Sequence, residues 1–216
     1  MHLNADRLAR ELESELGVAL RVSISSEAVA TDRLTPGEQA HLGELATSPR
    51  RLSWLKGRSA LKSLLNSLGE DEETGVIGFP NPRFSLTHSG DFAVALGTHS
   101  AELRGIGVDL EVNRPLRRET ARFFLGEPEQ AWVMSFDESL RAKNMLRLWT
   151  IKEALFESDP RNAERWFADY RIEAPAADAG RAFVRGEEAQ GFRYFCFEVE
   201  EGFLSVAVLP RRQNDA

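Results

Sequence analysis

The feature that most constrains the fold is the stretch at 106–112, where apolar and polar residues alternate. Its sequence, Ile-Gly-Val-Asp-Leu-Glu-Val, has the period of two that predicts a β-strand. Successive side chains of a strand point to opposite faces, so the valines and the leucine would face a core while Asp109 and Glu111 share the other face. Two neighbouring carboxylates repel each other unless water or a cation separates them. This strand is therefore either half-buried with an acidic face in water or one side of a cation site, for which Mg²⁺ is well suited.

Similar patterns elsewhere predict helices and antiparallel strands in both halves of the chain. Helices are expected at 6–16, at 51–68, at 118–135 and at 138–157. Strands are expected at 18–25, 84–87, 92–96, 106–112, 192–199 and 203–209. Thr35 and Glu38 have the spacing of a capping box, which predicts a further helix start. This order indicates an α+β protein with two similar subdomains, at 1–103 and 104–216.

Composition excludes several classes of protein. The chain has 34 acidic and 27 basic residues, and its formal charge of −7 disfavours general nucleic-acid binding. No stretch reaches the ~18 consecutive apolar residues of a membrane helix, and residues 1–16 are too charged for a secretory signal. The single cysteine, Cys196, can form neither an internal disulfide nor a cysteine zinc cluster. We expect a cytoplasmic protein with no nucleic-acid or membrane partner.

A second candidate motif is Trp-Thr-Ile-Lys-Glu-Ala at 149–154, on a predicted helix. Trp149 and Glu153 are one turn apart and share a face, so the tryptophan can direct that carboxylate. Lys152 lies about 100° around the helix from Glu153. The alternative is a core tryptophan beside a lysine and a glutamate on a solvated helix face.

A third motif, Phe-Ser-Leu-Thr-His-Ser-Gly at 84–90, places His88 and Ser89 at a strand end beside a glycine turn. Such side chains can donate hydrogen bonds to phosphate oxygens. A lone histidine in a turn is also consistent with an ordinary surface residue.

A fourth feature is a basic segment between Leu45 and Gly69, which contains no acidic residue. Its cations are Arg50, Arg51, Lys56, Arg58 and Lys62. The segment is either a solvated helix face or a contact for a polyanion, since arginine suits bidentate phosphate recognition.

The order and spacing of these motifs resemble the 4'-phosphopantetheinyl transferases, in particular the Sfp-like type with two subdomains. The resemblance covers about 34–172 and rests on Gly57-Arg58 and on the motifs at 84–89, 107–111 and 149–154. It implies a pseudo-twofold arrangement of the two subdomains, with the active site in the cleft between them. It also implies that one chain completes the site, so a monomer is expected.

The resemblance further implies an activity. Enzymes of this family transfer the 4'-phosphopantetheine arm of coenzyme A to a serine of an acyl or peptidyl carrier protein and release 3',5'-ADP. The residues that match the family's magnesium ligands are Asp109, Glu111 and Glu153. Those that match its coenzyme A contacts are Arg51, Arg58, His88, Ser89 and Lys152. A catalytic role is implied for Asp109. Either Glu153 or a metal-bound water oriented by Glu111 would accept the serine proton, and Lys152 would stabilise the developing charge or relay the proton.

Two departures from the family pattern bear on this expectation. Glu157 stands where the family usually has a phosphate-binding lysine, and Phe79 stands where a Gly-Lys-Pro sequence often supplies another. An anion in place of a cation disfavours phosphate binding. The alternative to an active transferase is therefore a divergent, non-catalytic module on the same fold that binds carrier proteins or regulates them.

Overall fold

Two antiparallel sheets organise the fold in the computed structural model, which describes residues 4–188 and 191–211. The first sheet has the order β1-β3-β2 and consists of Arg21–Ser25 (β1), Phe84–Ser89 (β2) and Phe92–Gly97 (β3). The second has the order β4-β8-β7-β6-β5. Its strands are Leu103–Val112 (β4), Tyr170–Ile172 (β5), Ala179–Val184 (β6), Gly191–Val199 (β7) and Gly202–Pro210 (β8). The predicted class, α+β, is confirmed.

Six α-helices in the described part of the chain accompany the sheets. They are Ala5–Leu16 (α1), Pro36–Glu44 (α2), Ser48–Ser67 (α3), Ala121–Phe124 (α4), Glu127–Met134 (α5) and Glu138–Ser158 (α6). Among the residues described, none of the helices has the length and apolar character that crossing a bilayer requires.

Local capping determines where the amino-terminal helices begin. The capping box is present, because the Glu38 amide donates to the Thr35 hydroxyl and the Thr35 amide donates to the Glu38 carboxylate. Helix α3 begins three residues before the predicted start, at Ser48. The Thr47 side chain caps it by accepting a hydrogen bond from the Arg50 amide at 3.4 Å.

Two predictions about the carboxy-terminal half are wrong. The single helix expected at 118–135 is divided into α4 and α5, because Leu125 is extended and Pro128 lies in the first turn of a new helix. The short strands β5 and β6 were not expected. They border a segment of small residues at 174–180, whose composition carries little strand propensity.

The cores join the elements across the middle of the chain. One apolar cluster places α6 against the second sheet, and another places α3 against β2 and β3. A third cluster combines the leucines of α1 and residues of β3 with β4, β7 and β8. Helix α1 therefore packs against strands of the second sheet.

The two sheets meet where β2 runs beside β4, through side-chain hydroxyl groups. The amide group of every second residue of β4 donates a hydrogen bond to a hydroxyl of β2, which gives three contacts. The pairs are Val108 to Ser85 at 3.0 Å, Leu110 to Thr87 at 3.2 Å and Val112 to Ser89 at 3.1 Å. We call Ser85, Thr87 and Ser89 the hydroxyl ladder. Each of its hydroxyls takes the place of a main-chain carbonyl, so these amides of β4 have acceptors.

Close approach of α6 to β4 depends on two glycines. A Cβ at Gly105 would collide with the carbonyl oxygen of Ser158, and one at Gly107 with that of Ala154. The absence of a side chain at these positions lets the helix lie directly on the strand. The acidic residues of α6 thereby come close to those of β4.

We expect Gly107→Ala to lower the free energy of unfolding by at least ~1–3 kcal/mol, because the added methyl group overlaps a helix backbone that cannot move independently. Gly43→Ala is the matched control, since a Cβ there meets no atom within 4 Å. The control should be neutral or stabilising by up to ~1 kcal/mol. Urea unfolding of both variants measures the difference, and equal stabilities would contradict the packing argument.

Candidate active site

The candidate site lies where β2, β4 and α6 meet, and Asp109 is at its centre. Asp109 is 6% exposed. Its Oδ1 accepts a hydrogen bond from the Thr87 hydroxyl at 3.4 Å. Its Oδ2 is buried and has no hydrogen-bond partner among the described residues. A buried carboxyl oxygen without a partner is costly, so this atom is available to a ligand.

Two carboxyl groups of α6 act electrostatically on Asp109. Burial raises the pKa of Asp109 well above its ordinary value, and the charges of Glu153 and Glu157 raise it further. Burial also raises the pKa of Glu153. For Glu157, burial and then Glu153 raise the pKa to about 8. The three groups cannot all be ionised at low cost unless a cation offsets their charge, and without one at least one of them favours its protonated form.

Glu111 lies next to this group but has its own partners. Its Oε1 accepts hydrogen bonds from the Arg114 guanidinium and, at 3.2 Å, from Nε1 of Trp149. The Arg114 guanidinium also lies over the Trp149 ring, 5.0 Å from its centroid. Glu111 is therefore neutralised by a cation from the protein itself.

Trp149 is fixed by aromatic packing, as an anchoring residue requires. Its ring contacts Phe124 edge-on with centroids 5.1 Å apart, and Phe167 at 5.4 Å. A spacing of one helical turn predicts that this tryptophan directs Glu153. The hydrogen bond that the structure shows from its indole goes to Glu111 instead, because the side chain extends across to β4.

The chemistry of these oxygens fits magnesium, although three ligands do not converge. Carboxylate oxygens are the ligands that Mg²⁺ prefers, and Asp109 Oδ2 is free to serve as one. Within the ranges 4–188 and 191–211, no group of three or more His, Cys, Asp or Glu side chains is arranged to hold a metal ion. The expected set of ligands is Asp109, Glu111 and Glu153. Glu111 forms an ion pair with Arg114, which is one reason why the three side chains do not converge.

The contacts of Lys152 are made away from Asp109, Glu111 and Glu153. Its side chain is fully buried and its Nζ contacts Glu129 at 2.8 Å and the carbonyl oxygen of Tyr170. Burial lowers the pKa of Lys152, and Glu129 opposes that shift. With its ammonium group inside the core, Lys152 connects α5, α6 and β5. The placement does not support the expected contact with a substrate phosphate.

Two cations of the basic segment pair with carboxylates distant in sequence, and others donate to uncharged oxygens. Lys62 is buried against Glu38, with Nζ and Oε2 2.9 Å apart, and Lys56 contacts Asp91 at 3.1 Å. The exposed Arg51 donates at 2.9 Å to the carbonyl oxygen of Leu45, just after α2. The segment is thus not a continuous solvated positive face.

Arg58 lies beside a cavity of about 550 Å³ that the second and third helices line. Its guanidinium donates to the carbonyl and hydroxyl oxygens of Thr74, both at 3.2 Å, and lies 5.3 Å from the centroid of the Trp54 ring. His41 and Phe79 also line this cavity. An arginine and aromatic rings around one cavity suit a ligand that carries both phosphate and an aromatic ring.

His88 and Ser89 lie at the end of β2. His88 is exposed as a whole residue, but part of its ring is shielded from water, and this desolvation lowers the pKa of His88. The hydroxyl of Ser89 accepts the amide of Val112 as the last member of the hydroxyl ladder. His88 is thus neutral more often than a free histidine at neutral pH, and it would act there as a hydrogen-bonding group.

Several residues of the site were missed in the sequence. Thr87 and Arg114 contact the predicted acidic residues directly, and Ser85 contacts Glu157 at 3.4 Å. A signal was present for the hydroxyls, since Ser-x-Thr-x-Ser at 85–89 places them on one face of a strand. No local pattern indicated which carboxylate each residue would reach.

Comparison with known proteins finds a family match in the carboxy-terminal half. Residues 105–208, slightly under half of the chain, match the model of the 4'-phosphopantetheinyl transferase superfamily. The resemblance predicted from the sequence motifs is confirmed. The matched range includes β4 and α6, and with them Asp109, Glu111 and Glu153.

One relative with an established name is 4'-phosphopantetheinyl transferase Sfp of Bacillus subtilis (strain 168). The two chains are 24% identical over 80 residues. The matched segment covers 37% of this chain and 34% of that protein. The likeness therefore extends over about a third of the relative's length.

The structural role of Lys152 can be tested against an exposed lysine on the same helix. Lys143 contacts Glu198 at 2.8 Å, the same distance as in the buried pair, but both partners are about half exposed. Lys152→Met should lower the free energy of unfolding by ~3–5 kcal/mol, because it leaves Glu129 buried and unpaired. Lys143→Met should change it by less than ~1 kcal/mol. Denaturant unfolding measures both, and equal effects would refute the assignment.

Proposed function

We propose that the chain is a magnesium-dependent 4'-phosphopantetheinyl transferase that modifies a serine of an acyl or peptidyl carrier protein. Coenzyme A is the donor and 3',5'-ADP the second product. The observation that carries the proposal is the free, buried oxygen of Asp109 beside Glu153, within residues that match the superfamily. Phosphoryl transfer depends mainly on positioning and on offsetting charge, and a buried acidic site that recruits a cation suits both needs.

The proposed arrangement is the Sfp-like one with two subdomains in pseudo-twofold relation, at 1–103 and 104–216. The proposal places the active site at the junction of β2 and β4, where residues of both sheets meet. One chain would then supply the whole site, so the enzyme would act as a monomer in the cytoplasm.

Asp109, Glu111 and Glu153 would hold the magnesium ion, which when bound offsets the negative charge of the coenzyme A pyrophosphate. Glu111 becomes available once Arg114 releases it, and Arg114, whose side chain is 44% exposed, has room to move toward solvent. Arg51, Arg58, His88 and Ser89 would orient the phosphates of coenzyme A. The cavity beside Arg58, which is lined by aromatic rings, would accept the adenine ring.

In the transfer step, the serine oxygen of the carrier forms a bond to the phosphorus that carries pantetheine. The bond from that phosphorus to the 3',5'-ADP oxygen breaks, and the bond electrons leave with 3',5'-ADP. Glu153 is suited to accept the serine proton, since its raised pKa makes the Glu153 carboxylate a stronger base. Lys152 takes no part in this step, because its ammonium group is held in the core.

Glu157 is compatible with this activity near neutral pH. Burial and the charge of Glu153 raise its pKa to about 8 when no metal ion is bound, which favours the uncharged form near pH 7. An uncharged carboxyl group does not repel a phosphate. Its Oε2 lies 3.4 Å from the Ser85 hydroxyl. A neutral carboxyl group at this point costs far less phosphate binding than the sequence alone implied.

Incubation with coenzyme A, Mg²⁺ and an apo-carrier protein should add the mass of the phosphopantetheine arm to the carrier. Asp109→Asn should lower the transfer rate more than ~100-fold, because it removes the charge of the central ligand without changing the size of the side chain. Mass spectrometry of the carrier measures both. Glu15→Gln, at an exposed acidic residue of α1, is the control and should leave the rate unchanged.

No mass shift with carriers of several pathways would contradict the proposal. Glu157 and Phe79 then favour the alternative, a module on the same fold that binds carriers without modifying them. Calorimetry separates the two proposals. The module would bind the carrier but not coenzyme A, whereas the enzyme would bind coenzyme A when Mg²⁺ is present.

The raised pKa of Glu157 predicts a dependence of stability on pH in the presence of a chelator. The folded protein favours the protonated carboxyl, so its contribution to stability is complete below about pH 4.5 and decreases up to about pH 8. Each pH unit in that window costs up to ~1.4 kcal/mol. Glu157→Gln should therefore become progressively more stable than the wild type as pH rises through the window. A constant difference in urea unfolding would show that Glu157 titrates normally.

A further inference from the structure

The hydroxyl of Thr87 has two partners, which determine the direction of its proton. Its Oγ1 accepts the amide of Leu110 at 3.2 Å and lies 3.4 Å from Oδ1 of Asp109. A threonine hydroxyl has one proton and can accept two hydrogen bonds. Since the amide of Leu110 can only donate, the hydroxyl proton is left for Asp109. Thr87 is 6% exposed, so bulk water does not compete for it.

The separation of 3.4 Å is long for a hydrogen bond between two oxygens. The contact is therefore weak, and the partners of the hydroxyl rather than the length of the contact identify Asp109 as its acceptor.

The other two ladder hydroxyls provide a comparison within the molecule. Ser85 accepts the amide of Val108 at 3.0 Å, and its own proton points to Glu157 rather than to Asp109. In the described part of the chain, the Ser89 hydroxyl makes one hydrogen bond, which it accepts from the amide of Val112. Thr87 is the ladder hydroxyl that contacts Asp109.

We infer that Thr87 is a positioning residue, whose hydroxyl holds Oδ1 of Asp109 so that Oδ2 remains the oxygen that binds a cation. Oδ2 is the atom that is buried without a partner in the described part of the chain. The inference rests on the proposed function for the identity of the cation. The orientation of Asp109 by Thr87 stands on the two contacts of the hydroxyl alone.

Thr87→Val tests the inference, since it removes the hydroxyl and nearly preserves the shape. We expect it to weaken Mn²⁺ binding, measured by calorimetry and by electron paramagnetic resonance, about tenfold, as loss of a second-shell partner does. Thr87→Ser retains the hydroxyl and should restore affinity to within about threefold of the wild type. If valine prevents folding, Thr87→Ala removes the same hydroxyl with less bulk and replaces it.

Thr98→Val is the matched control, because the buried hydroxyl of Thr98 also donates one hydrogen bond, to the Ala19 carbonyl oxygen, and accepts one, from the Ser100 amide, without touching Asp109. It should lower stability in urea about as much as Thr87→Val, while Mn²⁺ affinity stays within about twofold of the wild type. Equal losses of Mn²⁺ affinity in the two variants would overturn the inference, since the loss would then follow from destabilisation alone. Unchanged affinity in Thr87→Val would overturn it as well.

If the wild type itself binds no Mn²⁺, the proposed metal site fails and a readout without metal decides the role of Thr87. Crystal structures of the wild type and Thr87→Val then compare the carboxylate of Asp109. A rotated carboxylate in the variant supports the inference. An unchanged orientation overturns it, whatever the fate of the proposed function.

Discussion

The burial of Asp109 beside Glu153 and Glu157 is the constraint on which the rest of the site depends. Taking one carboxyl group out of water raises its free energy when ionised, and two more at close range raise it further. The arrangement persists because the surrounding packing holds it. Gly105 and Gly107 let α6 lie on β4, so the close approach of backbone to backbone brings the repelling groups together. Stability from the core offsets a local cost at the site.

Three ion pairs of this molecule differ in sequence separation and in burial. Lys62 contacts Glu38 and Lys152 contacts Glu129 across long stretches of sequence, whereas Arg114 contacts Glu111 only three residues away. The first two pairs are buried, and the third is partly exposed and lies at the site. A partly exposed pair is weaker and easier to exchange. The cation that Glu111 holds is therefore the one that a ligand can replace at low cost.

Periodicity predicted the parts of the structure that depend on local sequence. The alternation at 106–112 located Asp109 and Glu111 on a strand, and the capping box located the start of α2. It did not predict that both acidic residues would be buried, because burial depends on β2 and α6 covering that face of β4. Periodicity could not indicate the burial of Lys152 for the same reason, since its partner Glu129 lies on another helix and only the folded chain brings them together.

Because of the hydroxyl ladder, the contact between the two sheets depends on the identity of three side chains. Ordinary strand pairing uses main-chain groups and tolerates most changes of side chain. Between β2 and β4 the acceptors are the side chains of Ser85, Thr87 and Ser89, so each contact depends on a single codon. A single substitution in the hydroxyl ladder can therefore remove one contact between β2 and β4 while the main-chain pairing within each sheet is kept.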